Sequence, residues 1–262
     1  MYCKAKQTVA LVLTACLAGC EPEESTEAPD ALVQNVAQFP AVLDESSALA
    51  FHDNVLWSLN DSGNDPVLFG LSENGELLAT VTILNSRNTD WESLAQDENY
   101  LYVADTGNNL NSRGELSIYR VPIPTLEQDS VNADVITLRY ADYASGNRGS
   151  HNFDSEALAV RGSELWLFTK NRGDGNSNLY RLPKLPGTYS VAQAQTLPVN
   201  ALVTAADINP ETGELVLLSY GGAGFGRGTR LWWAPTADAG VDWDNSNSLS
   251  IGPADQWEAV VW

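Results

Sequence analysis

Short apolar runs alternate with polar turn residues along this chain, and the runs recur in a fixed order. Five stretches share a start in which a polar or acidic residue precedes a small, apolar run, and a second apolar run follows each of the first four. The repeats start 45, 64, 48 and 54 residues apart, at Ser47, Glu92, Glu156, Thr204 and Glu258. A period of this size, built from short strands, is typical of a β-propeller.

The first four repeats each have room for four strands. Turn-forming groups such as Ser72-Glu-Asn-Gly75 and Asn209-Pro-Glu-Thr-Gly213 separate the apolar runs, and no helical period of useful length follows residue 31. The weakest predicted strand is the fourth of the third repeat, near Gln195–Val199. The pattern therefore predicts an all-β fold, a β-propeller with four complete blades and the start of a fifth.

The fifth repeat stops at Trp262, after its first predicted strand. We expect Val33–Leu43 to supply the outer strand of that last blade and so to close the ring. The blade would still lack its two middle strands. The sequence therefore predicts a propeller that is truncated at its C-terminus, with unpaired strand edges.

Composition restricts the kind of partner. The formal net charge is −20, which repels nucleic acid, so we expect no nucleic-acid partner. All three cysteines lie at or before position 20, and His52 and His151 are the only histidines. A zinc site built from several histidines is therefore excluded, as are disulfides within the repeats.

The first twenty residues have the layout of a secretory signal. Lys4 and Lys6 precede an apolar run that is too short to span a bilayer, and Leu17-Ala-Gly-Cys20 follows it. This end resembles the bacterial lipobox, which implies that Cys20 carries a lipid. Ordinary secretion with an incidental cysteine is the alternative.

The lipobox resemblance predicts three regions. Residues 1–19 are a lipoprotein signal peptide, residues 20–31 a lipidated and disordered tether, and residues 32–262 the propeller domain. Glu21, directly after the cysteine, favours the outer membrane. We therefore expect an extracytoplasmic lipoprotein in a Gram-negative bacterium, held to the membrane through Cys20.

A turn motif follows two of the second strands, as Asp61-Ser-Gly-Asn64 and Asp105-Thr-Gly-Asn108. Asp and Asn bond to nearby backbone amides, and Gly accepts a positive φ, so each motif forms a tight turn. Such a turn either joins neighbouring blades or offers Asp61 and Asp105 to a ligand. With the acidic strand starts, the motif resembles a poorly characterised family of secreted bacterial propellers related to NHL-repeat and phytase-like propellers. That resemblance implies a propeller outside the cytoplasm.

Acidic residues recur at the starts of the predicted first strands, which line the channel of a propeller. Period-two alternation puts two rows of positions on one face of these strands. The candidate metal ligands in these rows are Glu45, Asp90, Glu92, Asp154, Glu156 and Glu258. Crowded carboxylates raise one another's pKa or recruit a cation, and Ca²⁺ is the expected ion. Capping of backbone amides and a catalytic carboxylate are the alternatives.

Positive charge is scarce, so its positions are informative. Lys170 and Arg172 follow a second strand, and Arg227 lies in a glycine-rich loop. These residues either bind a carboxylate or phosphate ligand or pair with neighbouring blade carboxylates. His151 lies near Asp154 and is a weak candidate for a catalytic base.

Two functions remain open from the sequence. The first is a lipid-anchored binding module for an unidentified small molecule or protein, since no nucleophile motif is present. The second is a Ca²⁺-dependent hydrolase of the phytase-like or lactonase-like type. Scarce positive charge weakens the phytase version of this second function. The fold alone cannot decide between them.

Overall fold

The computed structural model describes residues 33–221, 228–253 and 257–262, and it is all-β. Two 3₁₀ turns, Ala41–Leu43 and Trp243–Asn245, accompany the strands. In the first two repeats the strands are β1 (Ser46–His52), β2 (Val55–Asn60), β3 (Val67–Leu71), β4 (Leu77–Ile83), β5 (Trp91–Gln96), β6 (Tyr100–Asp105), β7 (Leu116–Pro122), β8 (Ser130–Val131) and β9 (Asp134–Tyr140). They continue as β10 (Ser155–Arg161), β11 (Glu164–Thr169), β12 (Ser177–Pro183), β13 (Gly187–Val191), β14 (Gln193–Leu197), β15 (Leu202–Ile208), β16 (Glu214–Tyr220), β17 (Thr229–Ala237), β18 (Gly240–Val241) and β19 (Asn247–Gly252).

The strands form four antiparallel blades, which confirms the predicted fold class. The blade cores are β1-β2-β3-β4, β5-β6-β7-β9, β10-β11-β12-β14 and β15-β16-β17-β19. The first strands β1, β5, β10 and β15 lie side by side in that order. Even the weak fourth strand of the third repeat is present, as β14.

Each first strand contains a β-bulge at the same place. The pairing with the second strand shifts between Ser46 and Ala48, and the corresponding shifts in the other blades leave out one residue each. The residues left out of the ladder are Ser47, Glu92, Glu156 and Thr204. These are the aligned positions of the sequence repeat. A bulge re-aims a side chain, so the repeat marks a change of direction in the backbone.

Apolar side chains fill the spaces between neighbouring blades. Leu59 and Trp57 of the first blade pack against Trp91 of the second, and equivalent clusters join the second to the third and the third to the fourth. The inner strands β1, β5 and β10 are buried on both faces, whereas burial alternates along the outer strands β4 and β9, as one solvent-facing side requires. Blade-to-blade packing therefore forms the core.

Two short strands that the repeat pattern does not predict extend the outer edges. β8 pairs in parallel with β4 of the first blade, and β13 pairs in parallel with β9 of the second. Each comes from a connection that belongs to the next repeat. Parallel pairing of this kind covers an outer edge that the four-strand unit leaves open.

The prediction that Val33–Leu43 forms an outer strand is wrong. Phe39 and Leu43 instead pack against the outward face of the first blade, and Val33 packs against the fourth blade. These side chains cover two sheet faces that lack a neighbouring blade. The segment therefore covers these faces with apolar side chains and adds no strand to the sheet.

The C-terminal segment 257–262 runs beside β15. The Thr204 hydroxyl donates to the carbonyl of Trp257 at 2.6 Å, and the Trp262 amide donates to Asp207 at 3.0 Å. The Ser47 hydroxyl donates in the same way to the carbonyl of Trp91, at 3.2 Å. The fifth repeat thus begins where the next first strand of the ring belongs. No helix among the described residues is long and apolar enough to cross a membrane.

Two leucines test how much the packing between blades stabilises the fold. Leu59 is fully buried between the first two blades, whereas Leu84 is 61% exposed. We expect Leu59→Ala to lower the free energy of unfolding by about 2–5 kcal/mol. The matched Leu84→Ala should change it by less than about 0.5 kcal/mol. Urea titration followed by tryptophan fluorescence measures both, and equal losses would contradict this account of the core.

Candidate functional site

Five carboxylates meet at the end of the channel where the first strands begin. Oxygens of Asp61, Asp90 and Glu92 all lie within 4.8 Å of one another, and so do oxygens of Glu92, Asp154 and Glu156. Glu92 and Glu156 are the bulge residues of their strands, and Asp90 and Asp154 stand two residues earlier. The bulges therefore bring two overlapping trios together, with Glu92 common to both.

The strand register separates Asp61 from Asp105, although the turn motif aligns them. In the second blade Asp105 pairs with Trp91. In the first blade Ser46 takes the place of Trp91, and its partner is Asn60 and not Asp61. Asp61 comes one residue later. Its amide donates to the carbonyl of Glu45, just as the Lys170 amide donates to the carbonyl of Asp154. Asp61 therefore corresponds in space to Lys170 of the third blade. This offset explains why Asp61 joins the carboxylates and Asp105 does not.

Asp105 is committed to the scaffold. Its carboxylate accepts a hydrogen bond from the Asp90 amide at 3.0 Å and another from Arg113 at 2.8 Å. Arg113 also donates to the carbonyl of Gly107. The second turn thus fixes the backbone around Asp90, which agrees with the structural alternative for this motif.

Positive charge from the chain itself neutralises Asp154 and Glu156, two members of one trio. The Lys170 ammonium lies 2.5 Å from Glu156, and both side chains are buried. Arg172 contacts Asp154 at 2.5 Å and Glu156 at 3.6 Å. The Lys170 ammonium also lies 5.1 Å from the centre of the Tyr220 ring. Lys170 therefore holds Glu156 in a buried ion pair, and the partly exposed Arg172 holds the buried Asp154.

Glu92 has no such compensation. Glu92 is 8% exposed, and no described residue donates a hydrogen bond to its carboxylate or forms an ion pair with it. The side chain of half-buried Asp90 likewise receives no hydrogen bond from the described residues. Burying an ionised carboxylate without a partner costs several kcal/mol. This trio must therefore take up either protons or a cation.

The pKa shifts express the same imbalance. Burial, followed by the charges of Glu156 and Asp61, raises the pKa of Glu92 well above its usual range. Burial and the Asp61 charge raise the pKa of Asp90 to about 6. Burial also raises the pKa of Glu156 to about 7, although Lys170 opposes the shift.

Gly107 lies directly against the uncompensated carboxylates. A Cβ atom at this position would collide with Asp90 Oδ2 and Glu92 Oε1. Any other residue would push these oxygens aside. The glycine of the Asp-Thr-Gly-Asn turn is therefore required for the close approach of backbone to carboxylates, a role that the turn motif alone does not reveal.

The remaining predicted site residues lie elsewhere. Glu45 is exposed, accepts a hydrogen bond from Asn64 at 2.7 Å and belongs to neither trio. Glu258 is half-buried in the C-terminal segment and is also outside both trios. Arg227 and Cys20 lie outside the described residues.

His151 has both ring nitrogens engaged by the backbone. Nε2 lies 3.2 Å from the carbonyl of Asn109, so Nε2 carries the proton, and the Phe153 amide donates to Nδ1 at 3.3 Å. Burial lowers the pKa of the imidazole, which favours the neutral ring. In this arrangement the ring has no free nitrogen to accept a substrate proton.

No family model and no curated protein matches the chain. Among solved structures, similarity is found to a putative 6-phosphogluconolactonase from Bacteroides fragilis, at 16% identity and a TM-score of 0.42, over 89% of this chain and 60% of that one. An exo-β-1,3-galactanase from Phanerochaete chrysosporium is 12% identical, with a TM-score of 0.46, over 86% and 52% of the two chains. The computationally designed Ika4 protein is 15% identical, with a TM-score of 0.37, over 77% and 99%. All three TM-scores are below 0.5, so the fold assignment rests on this chain's own strand pairing.

The raised pKa values predict how stability depends on pH when divalent ions are removed. The folded state keeps protons on Asp90 and Glu156 up to about pH 6 and about pH 7. The unfolded chain releases the same protons near pH 4. The folded state binds more protons across this window, so the free energy of unfolding should fall as pH rises from about 4 to about 7.

Thermal unfolding in the presence of a chelator, measured at several pH values, tests this expectation. Glu92→Gln should flatten the decline, because one buried charge is gone. Glu73→Gln, in the exposed turn between β3 and β4, is the matched control and should follow the unmodified chain. A stability that rises over the same pH window would contradict the arrangement.

Proposed function

We propose that the chain is an extracytoplasmic, lipid-anchored β-propeller that binds Ca²⁺ at the end of its channel and uses the ion to bind a ligand. The observation that carries this proposal is Glu92, a buried carboxylate without a donor or cation among the described residues. It belongs to both acidic trios and so lies close to the other four carboxylates. A divalent cation supplies the missing charge.

The donor set favours a hard cation. Asp61, Asp90 and Glu92 offer only carboxylate oxygens, the ligands that Ca²⁺ and Mg²⁺ prefer. Ca²⁺ accepts six to eight oxygens in irregular arrangements, so a trio of carboxylates from two different blades suits it better than the strict octahedron of Mg²⁺. His151 already bonds the backbone through both ring nitrogens, and His52 lies at the end of β1 opposite the carboxylates. Zinc is therefore a poor fit.

The charges favour a single ion. Lys170 occupies in the third blade the position that Asp61 occupies in the first, and its ammonium neutralises Glu156. The third blade thus carries its own cation. Among the described residues, only the trio of Asp61, Asp90 and Glu92 remains without one, so we expect one Ca²⁺ per chain.

A binding role follows from the open coordination. Three carboxylates supply at most six oxygens, and monodentate binding leaves several positions of Ca²⁺ for water or a ligand. A carboxylate, phosphate or hydroxyl group on a small molecule or protein partner could fill them. The Ca²⁺-dependent hydrolase remains the alternative. The engaged nitrogens of His151 leave that alternative without a histidine base, so we favour binding.

Calcium should stabilise the protein. At a free ion concentration of 100 Kd, one site adds about 2.7 kcal/mol, or roughly 5–10 °C in Tm for a chain of this size. Isothermal titration calorimetry should give one Ca²⁺ per chain. Glu92→Gln should lower the affinity at least about tenfold, since even outer contacts of metal ligands are worth that much.

Glu73→Gln is the control for this titration, because Glu73 is exposed in the turn between β3 and β4 and belongs to neither trio. It should bind Ca²⁺ as the unmodified chain does. An unmodified chain whose Tm is the same in Ca²⁺ and in chelator would refute the proposal. An equal shift in the Glu92→Gln variant would place the ion elsewhere.

The membrane anchor has its own test. We propose that Cys20 carries a lipid and holds the propeller at the outer membrane, on the strength of the Leu17-Ala-Gly-Cys20 pattern. Cys20→Ser should move the protein from the membrane fraction to the soluble fraction of a Gram-negative host, because the lipid provides the attachment. Cys16→Ser is the matched control and should stay in the membrane fraction. Unchanged membrane attachment in Cys20→Ser would contradict the anchor.

A further inference from the structure

One buried asparagine joins the two blades that supply the ligands of the proposed ion. Asn88 lies in the connection between β4 and β5 and is 8% exposed. Its Nδ2 donates to the carbonyl of Asp61 at 2.8 Å and to that of Asn60 at 2.9 Å. Its Oδ1 accepts from the Trp91 amide at 3.2 Å. Two carbonyl partners for the nitrogen and one amide partner for the oxygen fix the orientation of the side chain, which connects the first blade to the second.

The contacts of Asn88 fall on the backbone of the proposed ion ligands. The carbonyl that it holds in the first blade belongs to Asp61 itself. The amide that it holds in the second blade belongs to Trp91, which stands between Asp90 and Glu92 in the chain. A shift of the tryptophan backbone would therefore move both neighbouring carboxylates. Because one side chain holds both backbone segments, it sets the distance between carboxylates that come from different blades.

The turn that begins at Asp61 has no other hydrogen bond to the second blade among the described residues. The side chain of Asn64, in the same turn, donates to groups of its own blade. At the next junction the corresponding Asn108 reaches across instead, and its amide donates to the Asp154 carboxylate at 2.7 Å. Asn88 thus makes between the first and second blades the link that Asn108 makes between the second and third.

We propose that Asn88 is a positioning residue of the ion site, which holds Asp61 at the distance from Asp90 and Glu92 at which all three carboxylates bind one cation. The inference rests on the proposed calcium site and adds the residue that determines its geometry. The polar atoms of the Asn88 side chain are engaged by backbone groups, so it acts through the ligands and not on the ion. Residues that orient metal ligands in this way are conserved contributors to affinity in other metal sites.

Calorimetric titration of Ca²⁺ into the unmodified chain and the Asn88→Ala variant tests the proposal. The variant should bind Ca²⁺ roughly 10- to 100-fold more weakly, because Asp61 is no longer held against the second blade. Asn85→Ala is the matched control. Asn85 lies in the same connection and also holds distant backbone, through bonds of 2.7 and 2.8 Å, but its partner is Ala133 and not a ligand residue. This control should bind Ca²⁺ as the unmodified chain does.

A double-mutant cycle separates positioning from a general loss of structure. Asp61→Asn alone should weaken Ca²⁺ binding, because it removes a charged ligand. Once that ligand is gone, the loss of Asn88 has less to disturb. The affinity loss of the double variant Asp61→Asn, Asn88→Ala should therefore be clearly smaller than the product of the two separate losses.

Terbium luminescence gives a signature that a purely structural role would leave unchanged. Tb³⁺ takes the same oxygen ligands as Ca²⁺, and its luminescence lifetimes in H₂O and D₂O report how many water molecules are bound to it. Tb³⁺ in the Asn88→Ala variant should carry more bound water than in the unmodified chain, because water replaces the oxygens of Asp61. Tb³⁺ in Asn85→Ala should match the unmodified chain.

Asn88→Ser replaces the alanine variant if that variant does not fold. A serine hydroxyl still accepts from the Trp91 amide but is too short to reach the Asp61 carbonyl, so the same loss of affinity is expected. Three results would overturn the proposal and leave the ion site standing: unchanged affinity without Asn88, an equal loss in Asn85→Ala, or losses that multiply in the double variant. An unmodified chain that binds no Ca²⁺ would refute both the ion site and the role of Asn88.

Discussion

The β-bulge at the start of each first strand is the constraint on which the rest of this structure depends. In each blade it takes one residue out of the pairing between the first and second strands and changes the direction of its side chain at the end of the channel. In the first and fourth blades the residue is Ser47 or Thr204, and its hydroxyl reaches a carbonyl of the adjoining segment. In the second and third blades it is a glutamate. The bulge thus joins neighbouring repeats in two blades and brings acidic side chains together in the other two.

The gathered charge is divided unevenly between the blades. Lys170 and Arg172 meet the carboxylates of the third blade, and the resulting pairs are buried. Asp61 takes the equivalent place in the first blade and adds negative charge beside Glu92. At the same position, Lys170 of the third blade neutralises Glu156, whereas Asp61 of the first blade adds to the negative charge around Glu92. Such unpaired charge destabilises the folded state, and the ion binding that we propose would offset this cost.

Hydrogen bonds join the carboxylate cluster to the loop that precedes β10. Arg172 contacts Asp154 within the carboxylate cluster, and its backbone amide donates to the carbonyl of His151, which lies in that loop. His151 in turn bonds Asn109 and Phe153. The histidine therefore braces the loop against the carboxylate cluster.

The sequence by itself determined the repeat, the four blades and the residues that begin each first strand, because alternation of apolar and polar positions is a local property. It also grouped Glu45, Asp90, Glu92, Asp154, Glu156 and Glu258, of which the structure brings Asp90, Glu92, Asp154 and Glu156 into the trios. Only the tertiary structure decided which side chains these carboxylates contact. A one-residue offset in strand register brings Asp61 into the cluster and leaves Asp105 in the scaffold, and no local pattern encodes such an offset. Likewise, Val33–Leu43 covers exposed sheet faces where a strand was expected, because long-range packing overrides local β-propensity.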